Sequence, residues 1–153
     1  YYITTPILFH VLEDLPSLKT ITIMVQKEVA DRFTAKPSTK DYNALSVIIQ
    51  TLCDAKTVMR VKPHVFLPQP TVESAVVQLI RKDTEKDMSP FFAFVKLAFT
   101  QRRKTLTNNL KSIEGIESHL TALGHRIDVR AEAISPSEWL TLYARIYENQ
   151  STR

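Results

Sequence analysis

The sequence predicts an α/β portion followed by a small all-helical domain, and three observations carry that reading. Helical and strand patterns alternate from Pro6 to about Lys82. The charged stretch "KDTEKD" then intervenes, and nothing beyond it reads as a strand. The expected boundaries are 1–82 for the α/β part, 83–88 for a polar linker and 89–153 for the helical domain.

Each element has a local cause. From Pro6, the residues Ile7, Leu8, Val11 and Leu12 recur at helical spacing, and "TITIMVQ" from Thr20 is rich in β-branched residues and reads as a buried strand. "KEVADRF" is a short helix. After the polar loop "KPSTKDYN", the positions Leu45, Ile48, Ile49 and Leu52 mark an amphipathic helix. "KTVMRVKP" and "VESAVVQLIRK" read as strands on either side of the proline-pinned loop "HVFLPQP". In the last third, Phe92, Val95 and Phe99 form one helical stripe, Leu106 and Leu110 a second, and Trp139, Tyr143, Ile146 and Tyr147 a third. Three helix starts share a hydroxyl residue followed by proline: Thr5-Pro6, Ser89-Pro90 and Ser135-Pro136. The hydroxyl can cap free N–H groups, and proline at the first helical position gives up no bond. "SPSE" is also a capping box, with Glu138 placed to reach back to Ser135.

Composition narrows the chemistry. The 153 residues are 44% hydrophobic, as in a globular protein, with only two glycines, Gly115 and Gly124, so no Gly-rich phosphate or nucleotide loop is present. The single cysteine, Cys53, excludes a disulfide framework and a Cys-based zinc site and suits a reducing cytosol. No apolar run is long enough for a bilayer, so the expected location is cytoplasmic with no membrane partner. His119 and His125, six apart, do not share a helix face closely enough for a metal, and no metal is expected. No carboxylate pair, Ser/His/Asp set or Cys/His set is placed for acid–base or nucleophilic work.

The net charge of +4 is unevenly spread: residues 81–130 hold 10 Lys+Arg against 6 Asp+Glu, while 1–80 hold 8 against 7. A local basic surface points to nucleic acid, since phosphate neutralisation supplies most sequence-independent affinity; a solubilising surface is the alternative. The excess includes "FTQRRKTLTNNL", residues 99–110. On one continuous helix Phe99, Leu106 and Leu110 would fall within roughly 20° of a common line, with Arg102 and Arg103 about 60° and 40° to either side. Charge that close to an apolar stripe must be paired, snorkelled or moved by a break. A break between Thr100 and Arg103 is therefore expected, placing the guanidiniums at a junction where they meet phosphate or a neighbouring carboxylate. Lys104 points well away and has a simple solvated role.

Three stretches, "YYITTP", "HVFLPQPTVESAVV" at 64–77 and "FTQRRKTLTNNL", together resemble the KsgA-type ribosomal RNA adenine dimethyltransferases, in which N-L-P-Y, F-x-P-x-P-x-V-x-S-A-V-V and F-x-Q-R-R-K-T-L-x-N recur in this order. "QKEVADRF", "YNALSV" and "RAEAIS" match as well, so the resemblance covers nearly the whole chain. It implies a Rossmann-like, S-adenosylmethionine-dependent methyltransferase domain followed by a helical, rRNA-binding domain. It also implies dimethylation of two adjacent adenines near the 3′ end of small-subunit rRNA, with that rRNA or the pre-ribosomal small subunit as partner. The family's Gly-rich cofactor loop and the N-L-P before Tyr1 do not occur in this sequence. The expectation is therefore the C-terminal half of such an enzyme, without its cofactor site and inactive alone, with an exposed sheet edge through which copies can self-associate. Asn43 stands where relatives usually have glycine, and asparagine tolerates a left-handed backbone better than most residues.

The exocyclic amine of adenine is a poor nucleophile, so holding the flipped base in line is much of the catalysis. By resemblance, Tyr1 and Phe66 stack on the two faces of the target adenine. Pro68 and Pro70 stiffen the loop carrying Phe66, although packing beneath the strand pair is the alternative for that ring. Also by motif match, Arg32, Arg102, Arg103, Lys104, Asn108 and Arg130 are candidate RNA contacts; for Arg32, an ion pair with Glu28 four residues earlier is the alternative. Two other functions stay open. One is a non-catalytic RNA-binding module. The other is a macrolide-resistance type methyltransferase acting on large-subunit rRNA, although those proteins usually lack the complete Q-R-R-K-T-L found here.

Overall fold

The computed structural model describes residues 4–83 and 87–148. In chain order the elements are α1 (Thr4–Asp14), β1 (Thr20–Gln26), α2 (Lys27–Phe33), α3 (Ala44–Leu52), β2 (Cys53–Val61), β3 (Ser74–Arg81), α4 (Ser89–Ala98), α5 (Leu106–Asn109), α6 (Ile116–Ala122) and α7 (Pro136–Tyr147), with short 3₁₀ turns at Pro63–Val65 and Ala131–Ala133. Among the described residues every strand precedes residue 82 and only helices follow it. Among them, no helix is long and apolar enough to cross a membrane.

The three strands form one sheet in the order β1-β3-β2, both outer strands antiparallel to β3. β3 takes the centre because it can be covered on its inner face: Ala75, Val77 and Leu79 are buried, while Val76 and Gln78 on the other face are half-buried and Ile80 is exposed. β1 alternates exposed and half-buried residues up to Val25, and its Met24 pairs with Val76 on the less covered face. β2 begins at Cys53, earlier than the Lys56 expected, because α3 stops at Leu52 and the chain turns straight into extended backbone at Cys53 (φ −137°, ψ 157°). A bulge between Thr57 and Met59 shifts its register, leaving Val58 and Met59 exposed.

The helix caps differ from expectation in two places. Ser89 is already inside α4 and caps nothing with its side chain; Asp87 instead accepts from the Ser89 N–H at 3.0 Å. A carboxylate near a helix N-terminus also meets the positive end of the backbone dipoles, and its pKa is lowered, first by that backbone bond. Thr5 likewise lies within α1, with Pro6 in the first turn. Asn43 is not left-handed: its φ is −149°, and it caps α3 in a reciprocal box with Ser46. The left-handed residue of that loop is Ser38, at φ 61°. The Ser135–Glu138 box forms as the sequence predicts, with bonds of 3.3 Å and 2.8 Å in the two directions.

The buried residues make one continuous cluster, running from Leu8 and Val25 through Phe33, Ile48 and Leu79 to Phe92, Leu106, Trp139 and Ile146. α3 joins the two parts, since it packs against α2 and β2 on one side and against α4 and α7 on the other. The aromatic stripes meet at this seam: Phe94 and Phe99 lie 5.8 Å and 5.6 Å from Trp139, ring centre to ring centre.

Candidate nucleic-acid interface

The "QRRK" segment is a braced turn. α4 ends at Ala98, earlier than the expected break, and helical backbone resumes only at Leu106. Asn109 accounts for the shape: its side-chain amide donates to the carbonyls of Ala98 at 2.7 Å and Gln101 at 3.1 Å, reaching back across the turn. The Thr100 hydroxyl donates to Leu97 at 2.7 Å, and Thr105 caps α5 by accepting from the Asn108 N–H. These bonds satisfy the last carbonyls of α4, which would otherwise need water.

The three cations of the turn have different surroundings. Arg102 spans both parts of the chain, donating from Nη2 to the Lys40 carbonyl at 2.8 Å and from Nε to Glu132 at 3.4 Å. Arg103 and Lys104 are exposed, and their side chains have no hydrogen-bond or ion-pair partner among the described residues. Asn108 is exposed on α5, and Arg130 is exposed before the Ala131–Ala133 turn, close in sequence to the Glu132 that holds Arg102. Arg32 makes the i,i+4 contact with Glu28 at 3.4 Å, a mostly solvated pair. Phe66 is half-buried at the start of an open loop, outside the buried core cluster, beside a fully exposed Leu67. Tyr1 lies outside the described residues.

The arrangement thus gathers Arg102, Arg103 and Lys104 on one hydrogen-bonded turn, while Arg130 is related to it only by standing two residues before Glu132 in sequence. Among the described residues no bond or ring contact links that group to Phe66 or Arg32. Three residues that position the turn escape sequence reasoning: Asn109, Glu132 and Tyr42. The Tyr42 hydroxyl donates to the Ile134 carbonyl at 2.5 Å from full burial, and desolvation pushes its pKa well above the usual tyrosine value. The Trp139 indole N–H is buried without an aligned acceptor, and its nearness to that hydroxyl opposes the shift.

A family model described as ribosomal RNA adenine dimethylase matches residues 1–148. The chain belongs to that family. Among curated relatives, ribosomal RNA small subunit methyltransferase A of Clostridium acetobutylicum is 43% identical over 96% of this chain and 56% of its own length. The protein of the same name from Rubrobacter xylanophilus is 46% identical over 95% and 57%. The chain therefore spans a little over half the length of those relatives. Among solved structures, a dimethyladenosine transferase from Plasmodium falciparum shares the fold, with a TM-score of 0.79 at 21% identity over 98% of this chain and 65% of that one. The 23S rRNA methyltransferase ErmE superposes with a TM-score of 0.66 at 26% identity over 95% and 62%. The α/β fold class expected from the sequence is that of these methyltransferases.

No glycine of the chain marks a cradle for S-adenosylmethionine, the methyl donor implied for the family. Gly115 and Gly124 flank α6, far along the chain from the sheet, and a Cβ on either would meet nothing closer than 4.0 Å, so neither marks a backbone cradle for a ligand. Among the described residues no group of three His, Cys, Asp or Glu side chains is placed to hold a metal ion.

Proposed function

We propose that this chain forms the RNA-facing part of a small-subunit rRNA adenine N6-dimethyltransferase, the methyl donor being held by parts of the family's fold that the described residues do not contain. The carrying observation is the pair Arg103 and Lys104, two exposed cations without partners among the described residues, on a turn fixed by Asn109 and Arg102. Cations without protein partners have no ion pair to break when they meet phosphate oxygens, and a backbone already held by hydrogen bonds adds little ordering cost of its own. The names of the curated relatives supply the small-subunit substrate, and their identity of 43% and 46% favours it over the large-subunit substrate named for ErmE. Phe66, outside the core on a loop with Pro68 and Pro70, is suited to stacking on a flipped adenine, with Tyr1 proposed for the opposite face. Such stacking would contribute orientation, which is the main demand when the nucleophile is a delocalised amine.

A non-catalytic RNA-binding module is the second reading, since the exposed Arg103 and Lys104 would serve RNA binding without any chemistry. Two measurements test what both readings share, an RNA surface at the turn and a donor site outside the described residues. A small-subunit rRNA hairpin should bind the chain with a steep salt dependence. The double variant Arg103→Ala/Lys104→Ala should reduce the slope of log K against log salt by roughly 1.5, at about 0.7–0.9 for each phosphate no longer neutralised. An unchanged slope would remove the turn from the RNA surface. Titration calorimetry with S-adenosylmethionine should show no saturable heat for this chain, and saturable binding would contradict the placement of the donor site elsewhere.

A further inference from the structure

Beside the basic turn lies a largely apolar groove. It is lined by Thr5 and Phe9 of α1, by Asn43 and Leu45 at the start of α3, and by Phe99 and Arg102 after α4, and it holds about 520 Å³ of open space, solvent included. Thr5 and Phe9 are one helical turn apart and so share a face of α1. Both phenylalanines are half-buried: Phe99 leans on Trp139 at 5.6 Å, and the Lys96 ammonium sits 4.4 Å from the centre of the Phe9 ring.

We propose that this groove is a subsite for one unpaired nucleobase of the bound RNA, seated against the Phe9 and Phe99 rings while its phosphate meets the basic turn. The inference rests on the RNA-binding reading and extends it to a place. Charge complementarity selects the occupant. The mouth of the groove is Arg102, whose side chain is 56% exposed and so still open to an anion despite its two protein bonds. Arg103 and Lys104 follow it without partners among the described residues; Lys96, at the Phe9 end, is paired with Glu13 at 3.1 Å and adds little net charge. An aromatic floor with cations along one rim is the arrangement that binds single-stranded nucleic acid, because every base has a face to stack and every nucleotide a charge to neutralise. Asn43 adds a polar contact: its carbonyl oxygen is used in capping α3, while its amide nitrogen has no partner among the described residues and is free to donate to a ring nitrogen or carbonyl of the base.

The test compares a fluorescent hexa-adenylate with an abasic ribose-phosphate oligomer of the same length, by anisotropy at low salt. The wild-type chain should bind the hexa-adenylate at least about fivefold more tightly than the abasic oligomer, the effect of one stacked base. Phe9→Leu, which keeps apolar volume but removes the ring, should cut that difference severalfold, leaving only what stacking at Phe66 contributes, and leave the abasic affinity unchanged. Thr5→Leu, which narrows the groove from a half-buried position, should do the same and decides the matter if Phe9→Leu does not fold. A base-dependent advantage undiminished in both variants overturns the groove while leaving the basic turn as an RNA contact. Failure to bind either oligomer overturns both readings. Equal displacement of the hexa-adenylate by an acidic hexapeptide would show that the groove selects charge and not bases, and would also overturn it.

Discussion

The Tyr42 hydroxyl donates to the Ile134 carbonyl across 92 positions of sequence, joining the loop before α3 to the entry of α7 at full burial. Arg102 repeats the connection at the surface, holding Lys40 of the same loop and Glu132 of the same 3₁₀ turn. A third bond, from the Ser38 N–H to the Glu132 carbonyl at 2.7 Å, completes the seam. The loop that reads as polar connection is therefore the clamp that sets the basic turn relative to the sheet.

Tyr42→Phe should destabilise the chain by about 1–2 kcal/mol, since it leaves a buried carbonyl without its donor while keeping the ring. The effect has a pH signature. The folded pKa of Tyr42 is raised by burial, so the unfolded chain releases this proton first as pH rises. The stability contributed by the neutral phenol is complete below the unfolded value of about 10 and is lost as pH climbs above it. Denaturation midpoints measured from pH 8 to 11.5 should fall more steeply for wild type than for Tyr42→Phe. Parallel curves would show that the hydroxyl is not held as described.

At the surface the same seam is weaker. Arg102→Lys should cost about as much as Arg102→Gln, roughly 1 kcal/mol, because the single ammonium nitrogen of lysine cannot replace the separate Nε and Nη2 donors that reach Glu132 and the Lys40 carbonyl. Glu132→Gln should cost less, within the range of about 0.2–1 kcal/mol usual for exposed pairs. Urea midpoints of the three variants check this order, and full retention of stability in Arg102→Lys would count against a forked contact.

The legible parts of the fold are those whose causes lie within a few residues. The Ser135–Glu138 box is a four-residue pattern, and it forms as read. The break in "FTQRRKTLTNNL" is legible as a conflict between arginine positions and the apolar stripe, yet its position is not, because Asn109 reaches back eleven residues to Ala98 to set it. Tyr42 is hidden in "KPSTKDYN" because its burial depends on Ile134, far away in sequence. For Asn43 the signal is local and points away from the left-handed expectation: Ser46, three residues on, completes a capping box, and that pattern competes with a left-handed turn. Of the candidate site, motif and charge identify the cations. Their division into a tethered Arg102 and an Arg103 and Lys104 without partners among the described residues depends on the tertiary contacts of a loop 62 positions upstream.

The α7 cap gives a prediction at acid pH. Burial raises the Glu138 pKa, but the Ser135 bonds and His125, whose Nε2 lies 3.0 Å from Oε1, together bring it below the ordinary carboxylate value. A depressed folded pKa gives stability that is present above the unfolded value of about 4.3 and is lost as pH falls through the folded one. Ser135→Ala should cost about 1 kcal/mol at neutral pH. Glu138→Gln should flatten the acid limb of the stability curve below about pH 5, measured by thermal melts between pH 3 and 7. An acid limb identical to wild type would exclude Glu138 as its source.

Phe66 offers a final discrimination, between a ring that supports the fold and one that is displayed to a ligand. A core phenylalanine truncated to alanine costs about 3–5 kcal/mol, whereas Phe66 is half-buried, outside the core cluster and without a ring contact to another aromatic among the described residues. Phe66→Ala should therefore lower stability by no more than about 1 kcal/mol. In chemical denaturation its midpoint should stay close to wild type, while Phe33→Ala, at 0% exposure under the same sheet, should fall by several times as much. A large loss in Phe66→Ala would place the ring in the packing beneath β2 and β3 and would leave the adenine-stacking role without a free aromatic face.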